Sequence, residues 1–153
     1  MEKRTLTSKI EDELRRLNIE MRILEQTAET IQSRINMVNA VITDLNYANM
    51  TLEGLEKQKE NAELLVPIGG NSYIKAKLDT PDKVTVGIGA GVSVEKTLQE
   101  AKEIIKKRLD DMEKSRVSLQ QQFAQVVEKM NEDRERFEEL AAELRKETPS
   151  KNV

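Results

Sequence analysis

Apolar residues in the first third of the chain recur at an alternating spacing of four and three residues. Twelve of the thirteen positions in this series are apolar: Ile10, Leu14, Leu17, Met21, Leu24, Ala28, Ile31, Ile35, Val38, Ile42, Leu45, Asn49 and Leu52. Apolar residues that keep this spacing over six heptads predict a helix with a coiled-coil seam. We place this N-terminal arm at residues 8–62, with Ser8 and Glu11 as a capping box at its start.

A second series with the same spacing occupies the C-terminal third. Nine of its eleven positions are apolar: Leu109, Met112, Arg116, Leu119, Phe123, Val126, Met130, Asp133, Phe137, Leu140 and Leu144. It predicts a second arm over residues 94–146, and the polar residues that follow predict a disordered tail over 147–153. The two polar members, Arg116 and Asp133, mark either points where the helices separate or an error in the heptad phase, and the sequence leaves both interpretations open.

The two arms are nearly equal in length, and each would be roughly 80 Å long as a helix. A chain that runs out, turns and returns would pair its two seams as an antiparallel coiled coil. If each arm instead formed a parallel dimer with the same arm of a second chain, the residues between the arms would be left as a spacer without a clear structural role. We therefore favour an antiparallel coiled-coil hairpin.

The residues between the arms, 64–92, alternate between apolar and polar positions and predict β-strands, with glycines and prolines at the turns. Two β-hairpins result, and the predicted fold class is mainly α with a small β part. So short a sheet cannot bury its apolar face and exposes its strand edges. We therefore expect strands from several subunits to form a shared β-barrel platform. The oligomerisation residues expected there are Val66, Ile68, Ile74, Leu78, Val84, Val86 and Ile88. Alternation places three of them, Val84, Val86 and Ile88, on one face of their strand.

Composition restricts the chemistry that the chain can perform. It has no Cys and no His, and its 25 basic and 28 acidic residues give a formal net charge of −3. These counts exclude disulfides, Cys/His metal centres and Cys- or His-dependent nucleophiles, and they offer no positive field for nucleic acid. We expect no catalytic residue, no metal and no cofactor. Because no apolar run is long enough to span a bilayer, we also expect no membrane association and a cytoplasmic location.

Two short motifs favour structural interpretations. The run Gly87–Gly91 holds three glycines, but Val92 stands where a dinucleotide-binding fingerprint needs another glycine. We interpret these glycines as turn or bulge positions. The basic run Lys106–Arg108 is interleaved with acidic residues, so we interpret it as a solvated helix face.

A last group of apolar residues lies at the arm ends farthest along the chain from the predicted strands: Leu6, Ile10, Leu14, Leu17, Phe137, Leu140, Ala141 and Leu144. One interpretation is that they complete the coiled-coil core. The other is that the ends fray and present these side chains to a non-native protein, since the end of a supercoil is its least stable part. Each side chain captured from water would contribute roughly 1.5–3 kcal/mol, and several ends in one oligomer would add avidity.

The amino-acid sequence of the central segment resembles that of the archaeal prefoldin alpha subunit. Residues 64–76, LLVPIGGNSYIKA, are similar to its first β-hairpin, and residues 83–96, KVTVGIGAGVSVEK, to its second hairpin and the start of its return helix. The two-hairpin centre resembles the alpha class rather than the beta class, which has one hairpin.

The resemblance implies a single prefoldin-like domain over residues 1–153 and an ATP-independent chaperone of the holdase type. Two alpha and four beta subunits would form a hexamer whose coiled-coil tips hold unfolded polypeptides and pass them to a group II chaperonin. The resemblance implies no catalytic residue and no cofactor-binding residue. Two alternatives remain: a structural coiled-coil tether, which would bind no unfolded chain, and a filament-forming homo-oligomer of the same class.

Overall fold

The computed structural model describes residues 2–148 and contains two long helices and four strands. Their order is α1 (Glu2–Glu56), β1 (Glu63–Gly69), β2 (Ser72–Lys77), β3 (Lys83–Gly89), β4 (Val92–Thr97) and α2 (Leu98–Glu147). β1 pairs with β2 and β3 with β4, each pair as a separate antiparallel two-stranded sheet. The predicted fold class is therefore confirmed. The hairpins of this chain do not close a barrel by themselves.

The first helix begins and ends earlier than predicted. It begins at Glu2 rather than Ser8, because Leu6 continues the apolar face one turn before Ile10 and no helix-breaking residue intervenes. Ser8 is thus inside the helix, and the predicted capping box of Ser8 and Glu11 is wrong. The helix ends at Glu56 rather than at residue 62, two residues after Gly54, whose conformational freedom disfavours a helix interior.

The second helix begins later than predicted because β4 extends as far as Thr97. Val94 and Lys96 pair with Val86 and Val84 on β3, which keeps residues 94–97 extended. The Thr97 hydroxyl then accepts a 3.1 Å hydrogen bond from the Glu100 amide, an N-cap that fixes the start of α2 at Leu98.

The C-terminal end of the helix also differs from the predicted tail at 147–153. Glu147 is the last helical residue. The Thr148 amide donates a 3.0 Å hydrogen bond to the Leu144 carbonyl, and its hydroxyl donates one of 2.8 Å to the same oxygen. Residues 149–153 of the predicted tail lie outside the described residues.

Both seams have the predicted phase. All thirteen positions of the first series and all eleven of the second are buried or half-buried. Arg116 is half-buried and Asp133 is buried, so the heptad phase is correct and both polar residues belong to the seam. Asn49 is likewise half-buried, and its amide donates a 3.5 Å hydrogen bond to Glu53, one turn later.

The chain divides into two compact units, each with a part of both helices. The first comprises residues 1–38 and 115–153 and the second residues 39–114. In the first unit α1 and α2 run antiparallel, because Glu13 contacts Arg136 and Glu20 contacts Lys129. In the second unit, five residues form a buried cluster: Leu45, Leu52, Val86, Ala101 and Ile105. This cluster joins both helices to the second hairpin.

The two hairpins have the same strand pairing, turn and bulge, and corresponding positions are twenty residues apart. Each turns through two residues of positive φ, which are Gly70 and Asn71 in the first and Ala90 and Gly91 in the second. This is the turn whose twist suits a two-residue hairpin. Each hairpin also has a bulge before the turn, between Pro67 and Gly69 or between Gly87 and Gly89. The glycine-rich run therefore serves turns and bulges, as interpreted from the sequence.

Candidate functional site

The first hairpin is the most exposed apolar surface among the strands. Five of its large apolar side chains are 41–65% exposed: Leu65, Val66, Ile68, Tyr73 and Ile74. Val66 is paired with Ile74, and Pro67 with Tyr73. Since neighbouring residues on a strand face opposite sides, both faces of this hairpin carry apolar groups. A two-stranded sheet that buries so little within its own chain is marginally stable alone.

Leu78, the remaining residue predicted for the interface in this half of the centre, follows β2 and is half-buried. Its amide donates a 2.9 Å hydrogen bond to Ala62, and its carbonyl accepts a 2.7 Å bond from Asn61. These bonds attach the end of the first hairpin to the connection that leaves α1. Leu78 is therefore less available to a partner than Ile68 or Ile74.

The second hairpin packs one face against the helices of its own chain. Val86 is only 7% exposed and lies in the buried cluster of the second unit, with Val84 packed against that cluster. This corrects the expectation for Val86, which the sequence places at the surface shared with other subunits. Ile88 was expected on the same face as Val86. It follows Gly87 in the bulge and remains 53% exposed.

Arg108 links the second hairpin to α2. Its Nη2 donates a 2.6 Å hydrogen bond to the carbonyl oxygen of Gly87, the residue at which the bulge begins. Sequence reasoning assigned Arg108 to a solvated face and missed this contact. The bond joins residues twenty-one positions apart, and no local pattern marks an arginine that hydrogen-bonds a distant carbonyl.

The apolar residues predicted at the arm ends meet in one cluster, which we call the terminal cluster. It consists of buried Ile10, Leu17 and Leu140, with Leu14, Phe137 and Leu144 packed against them. Ala141 is half-buried, whereas Leu6 is 49% exposed. Apart from Leu6 and Ala141, these side chains therefore pack against one another in the structure.

Ion pairs cross between the helices beside the terminal cluster. Arg136 Nε contacts Glu13 Oε1 at 3.2 Å, and the same guanidinium contacts Glu139 at 3.4 Å. The hydrogen bond with Glu13 raises the pKa of Arg136 further above its ordinary value. Because these side chains are largely exposed, both pairs contribute little to stability. Of the two, the contact with Glu13 joins α1 to α2.

Asp133, at 3% exposure, is the one buried charged residue in the part of the chain that the structure describes. Its Oδ1 lies 3.2 Å from Lys129 Nζ, and the second oxygen, Oδ2, has no hydrogen-bond partner. Lys129 also approaches Glu20 on α1, at 3.9 Å. The hydrogen bond to Asp133 is the main reason that the pKa of Lys129 is raised above 10.5.

Residues 2–148 include no helix that is long and apolar enough to cross a bilayer. Within the same range, no group of three or more Asp or Glu residues is arranged to hold a metal ion. Two apolar features of the described residues are candidates for contact with other proteins: the exposed first hairpin and the terminal cluster.

Comparisons with known proteins bear directly on this arrangement. The sequence model of the Prefoldin family, described as "Prefoldin subunit", matches residues 24–143. The chain is 35% identical over 114 residues to the prefoldin subunit alpha of Methanopyrus kandleri, which covers 74% of this chain and 73% of that one. It is 32% identical over 145 residues to a putative prefoldin subunit alpha of Aquifex aeolicus, covering 95% and 93%.

A solved structure agrees with these sequence relatives. The filamentous PFD from Methanocaldococcus jannaschii, determined by cryo-EM, superposes with a TM-score of 0.66 at 27% identity, covering 75% of this chain and 95% of that chain. The family match spans most of the chain and includes both hairpins and the larger part of both helices. The chain therefore belongs to the prefoldin family of chaperone subunits, and its curated relatives include archaeal alpha subunits.

Proposed function

We propose that this chain is the alpha-type subunit of an ATP-independent holdase, which binds unfolded polypeptides at the ends of its helices. The observation that carries the proposal is the terminal cluster of Ile10, Leu17 and Leu140, with its partners, at the ends of both helices. These side chains lie at the end of the supercoil, which is its least stable part, so they are the seam residues that open to a client most readily. We further propose that it works in the cytoplasm and passes its clients to a group II chaperonin.

The hairpins would mediate the assembly of the subunits. The first hairpin exposes apolar groups on both faces, and its strand edges offer backbone hydrogen bonds to strands of other subunits. We propose that two subunits of this type and four beta subunits close these strands into a shared platform. The second hairpin, anchored by Val86 and Arg108, would hold the platform on the helices.

Binding would draw on the hydrophobic effect alone. Each apolar side chain that the separating helix ends expose and that is then buried against a client regains roughly 1.5–3 kcal/mol, and this interaction requires neither ATP nor a shaped pocket. Several subunits whose helix ends engage one client chain would gain avidity from a high effective concentration. Specificity would be broad, because any non-native chain exposes apolar side chains.

The test measures aggregation of guanidinium-unfolded luciferase in the presence of the assembled complex. Full-length chain should suppress aggregation, and a variant lacking residues 1–17 and 137–153 should lose most of this activity while remaining assembled. A structural tether would suppress aggregation in neither form. Full suppression by the truncated variant would contradict the assignment of binding to the helix ends.

A filament-forming homo-oligomer is the second candidate, and one observation favours it. One solved structure that superposes on this chain is that of a filamentous prefoldin, the PFD of Methanocaldococcus jannaschii. Electron microscopy and sedimentation of the purified chain, alone and with a candidate beta subunit, separate the two assemblies. Long filaments from the chain alone would favour the homo-oligomer, and a discrete complex that forms only in the mixture would favour the hexamer.

A further inference from the structure

Asp133 occupies the seam position next to the terminal cluster. Glu13 pairs with Arg136 and Glu20 with Lys129. Asp133 lies between these two cross-helix contacts, at the level of Leu17 on α1. Leu17 and Leu140 belong to the terminal cluster. A buried carboxylate thus lies where the cluster meets the rest of the seam.

The buried carboxylate of Asp133 has a partner for only one of its two oxygens. Lys129 neutralises one oxygen at 3.2 Å, yet Oδ2 has no hydrogen-bond partner. Lys129 is itself 48% exposed and divides its charge between Asp133 and Glu20 on the other helix. A buried carboxylate with an unpaired oxygen is costly, and an apolar residue of similar volume at such a position is often more stabilising.

We propose that Asp133 sets how readily the helix ends separate, so that residues 2–17 and 133–148 open as one segment and release the terminal cluster to a client. This inference rests on the proposed function, which requires side chains that are packed together in the structure to become accessible. Separation of the ends would hydrate both carboxylate oxygens. The free energy gained by that hydration offsets part of the free energy needed to expose Ile10, Leu17 and Leu140 to water.

The same position explains why opening would stop there. On the side of Asp133 toward the hairpins, the seam returns to apolar residues such as Met130 and Val126, both half-buried. On α1, the next seam residues after Leu17 are Met21 and Leu24, which are also half-buried. Opening beyond Asp133 would expose these groups without hydrating a further buried carboxylate. The segment that opens is therefore bounded by the Asp133 level.

The test is hydrogen exchange of the full chain in its assembled complex, read out on peptides from residues 5–17 and 134–146. Asp133→Leu should slow their exchange about fivefold, the low end of the gain seen when a buried ion pair is replaced by an apolar residue. Asp133→Asn, which keeps the shape of the side chain, should slow it less. Lys129→Met, which leaves the carboxylate unpaired, should accelerate it.

Two control variants isolate the carboxylate. Glu135→Leu removes one negative charge and adds one Leu at an exposed position of the same helix, and should leave exchange of both segments unchanged. Glu20→Gln removes the contact of Lys129 with α1 but keeps its pair with Asp133, and should have a smaller effect than Lys129→Met. Circular dichroism and complex mass confirm that each variant is folded and assembled.

Suppression of luciferase aggregation by the same variants separates this inference from the proposed function. Asp133→Leu should raise the amount of complex needed for half-suppression, and Lys129→Met should lower it. Equal exchange in wild type, Asp133→Leu and Asp133→Asn overturns the inference. So does slower exchange with undiminished suppression, because clients would then bind without opening. If wild type itself suppresses no aggregation, the proposed function fails instead.

Discussion

Val66 and Val86 provide a matched pair, because they are the same residue at equivalent positions of two hairpins that repeat after twenty residues. Val66 is 41% exposed and Val86 is 7% exposed. Val86→Ala removes two methyl groups from the buried cluster of the second unit, which costs about 2 kcal/mol in transfer and cavity terms together. For a chain of this size that corresponds to a fall of about 4–8 °C in the midpoint of unfolding.

Val66→Ala should differ from Val86→Ala in its effect on the stability of the isolated chain and in its effect on assembly. Because the side chain is half in solvent, the loss of stability in the isolated chain should stay below about 1 kcal/mol. If a neighbouring subunit covers Val66, removing its methyl groups should weaken assembly by about 1 kcal/mol, or about fivefold in the dissociation constant. Thermal unfolding followed by circular dichroism measures the first quantity, and sedimentation velocity over a concentration series measures the second.

Equal losses of stability in Val66→Ala and Val86→Ala as isolated chains would contradict this prediction, because the difference in burial would then have no energetic consequence. Unchanged assembly in Val66→Ala, together with Ile68→Ala and Ile74→Ala, would refute the proposal that the first hairpin is covered by neighbours. Tyr47→Ala is a control for surface truncation, since this side chain is 63% exposed on α1 and lies outside the hairpins.

Three further predictions concern single contacts. Arg108→Met removes the hydrogen bond to Gly87 and should cost about 1.5 kcal/mol in unfolding experiments, whereas Lys107→Met on the exposed side should cost nothing measurable. Ala90→Gly relieves a φ of +52° and should stabilise the chain by about 1 kcal/mol. Asp133 and Glu20 raise the pKa of Lys129 above 10.5, so its stabilising contribution is complete below pH 10.5 and is lost as pH rises through the raised pKa. The melting temperatures of wild type and Lys129→Met should therefore differ at pH 8 and converge above that pKa.

The long seams could be predicted from the sequence because a heptad pattern depends only on local spacing. Every seam position, including Arg116 and Asp133, is buried or half-buried as the phase requires. The helix ends were less predictable. Thr97 acts as the cap of α2 because β4 extends that far through pairing with β3, and such pairing is a tertiary contact that no propensity of residues 94–97 reveals.

The sequence predicted which residues form the candidate site but not which surface each of them packs against. Alternation assigned Val84, Val86 and Ile88 to one face but did not indicate whether that face meets the chain's own helices or another subunit. The bulge at Gly87 also interrupts the alternation just before Ile88. At the helix ends, periodicity identified the residues of the terminal cluster, yet it could not determine whether they are closed or open.

Contact between a client and the helix ends is the central claim, and site-specific photo-crosslinking measures it most directly. A photoreactive phenylalanine analogue is placed at Leu6, which is 49% exposed beside the terminal cluster, or at Met50, which is 65% exposed in the second unit. Unfolded luciferase should crosslink to position 6 and not to position 50, although position 50 is the more exposed. Equal crosslinking at both positions, or crosslinking at position 50 alone, would contradict the account.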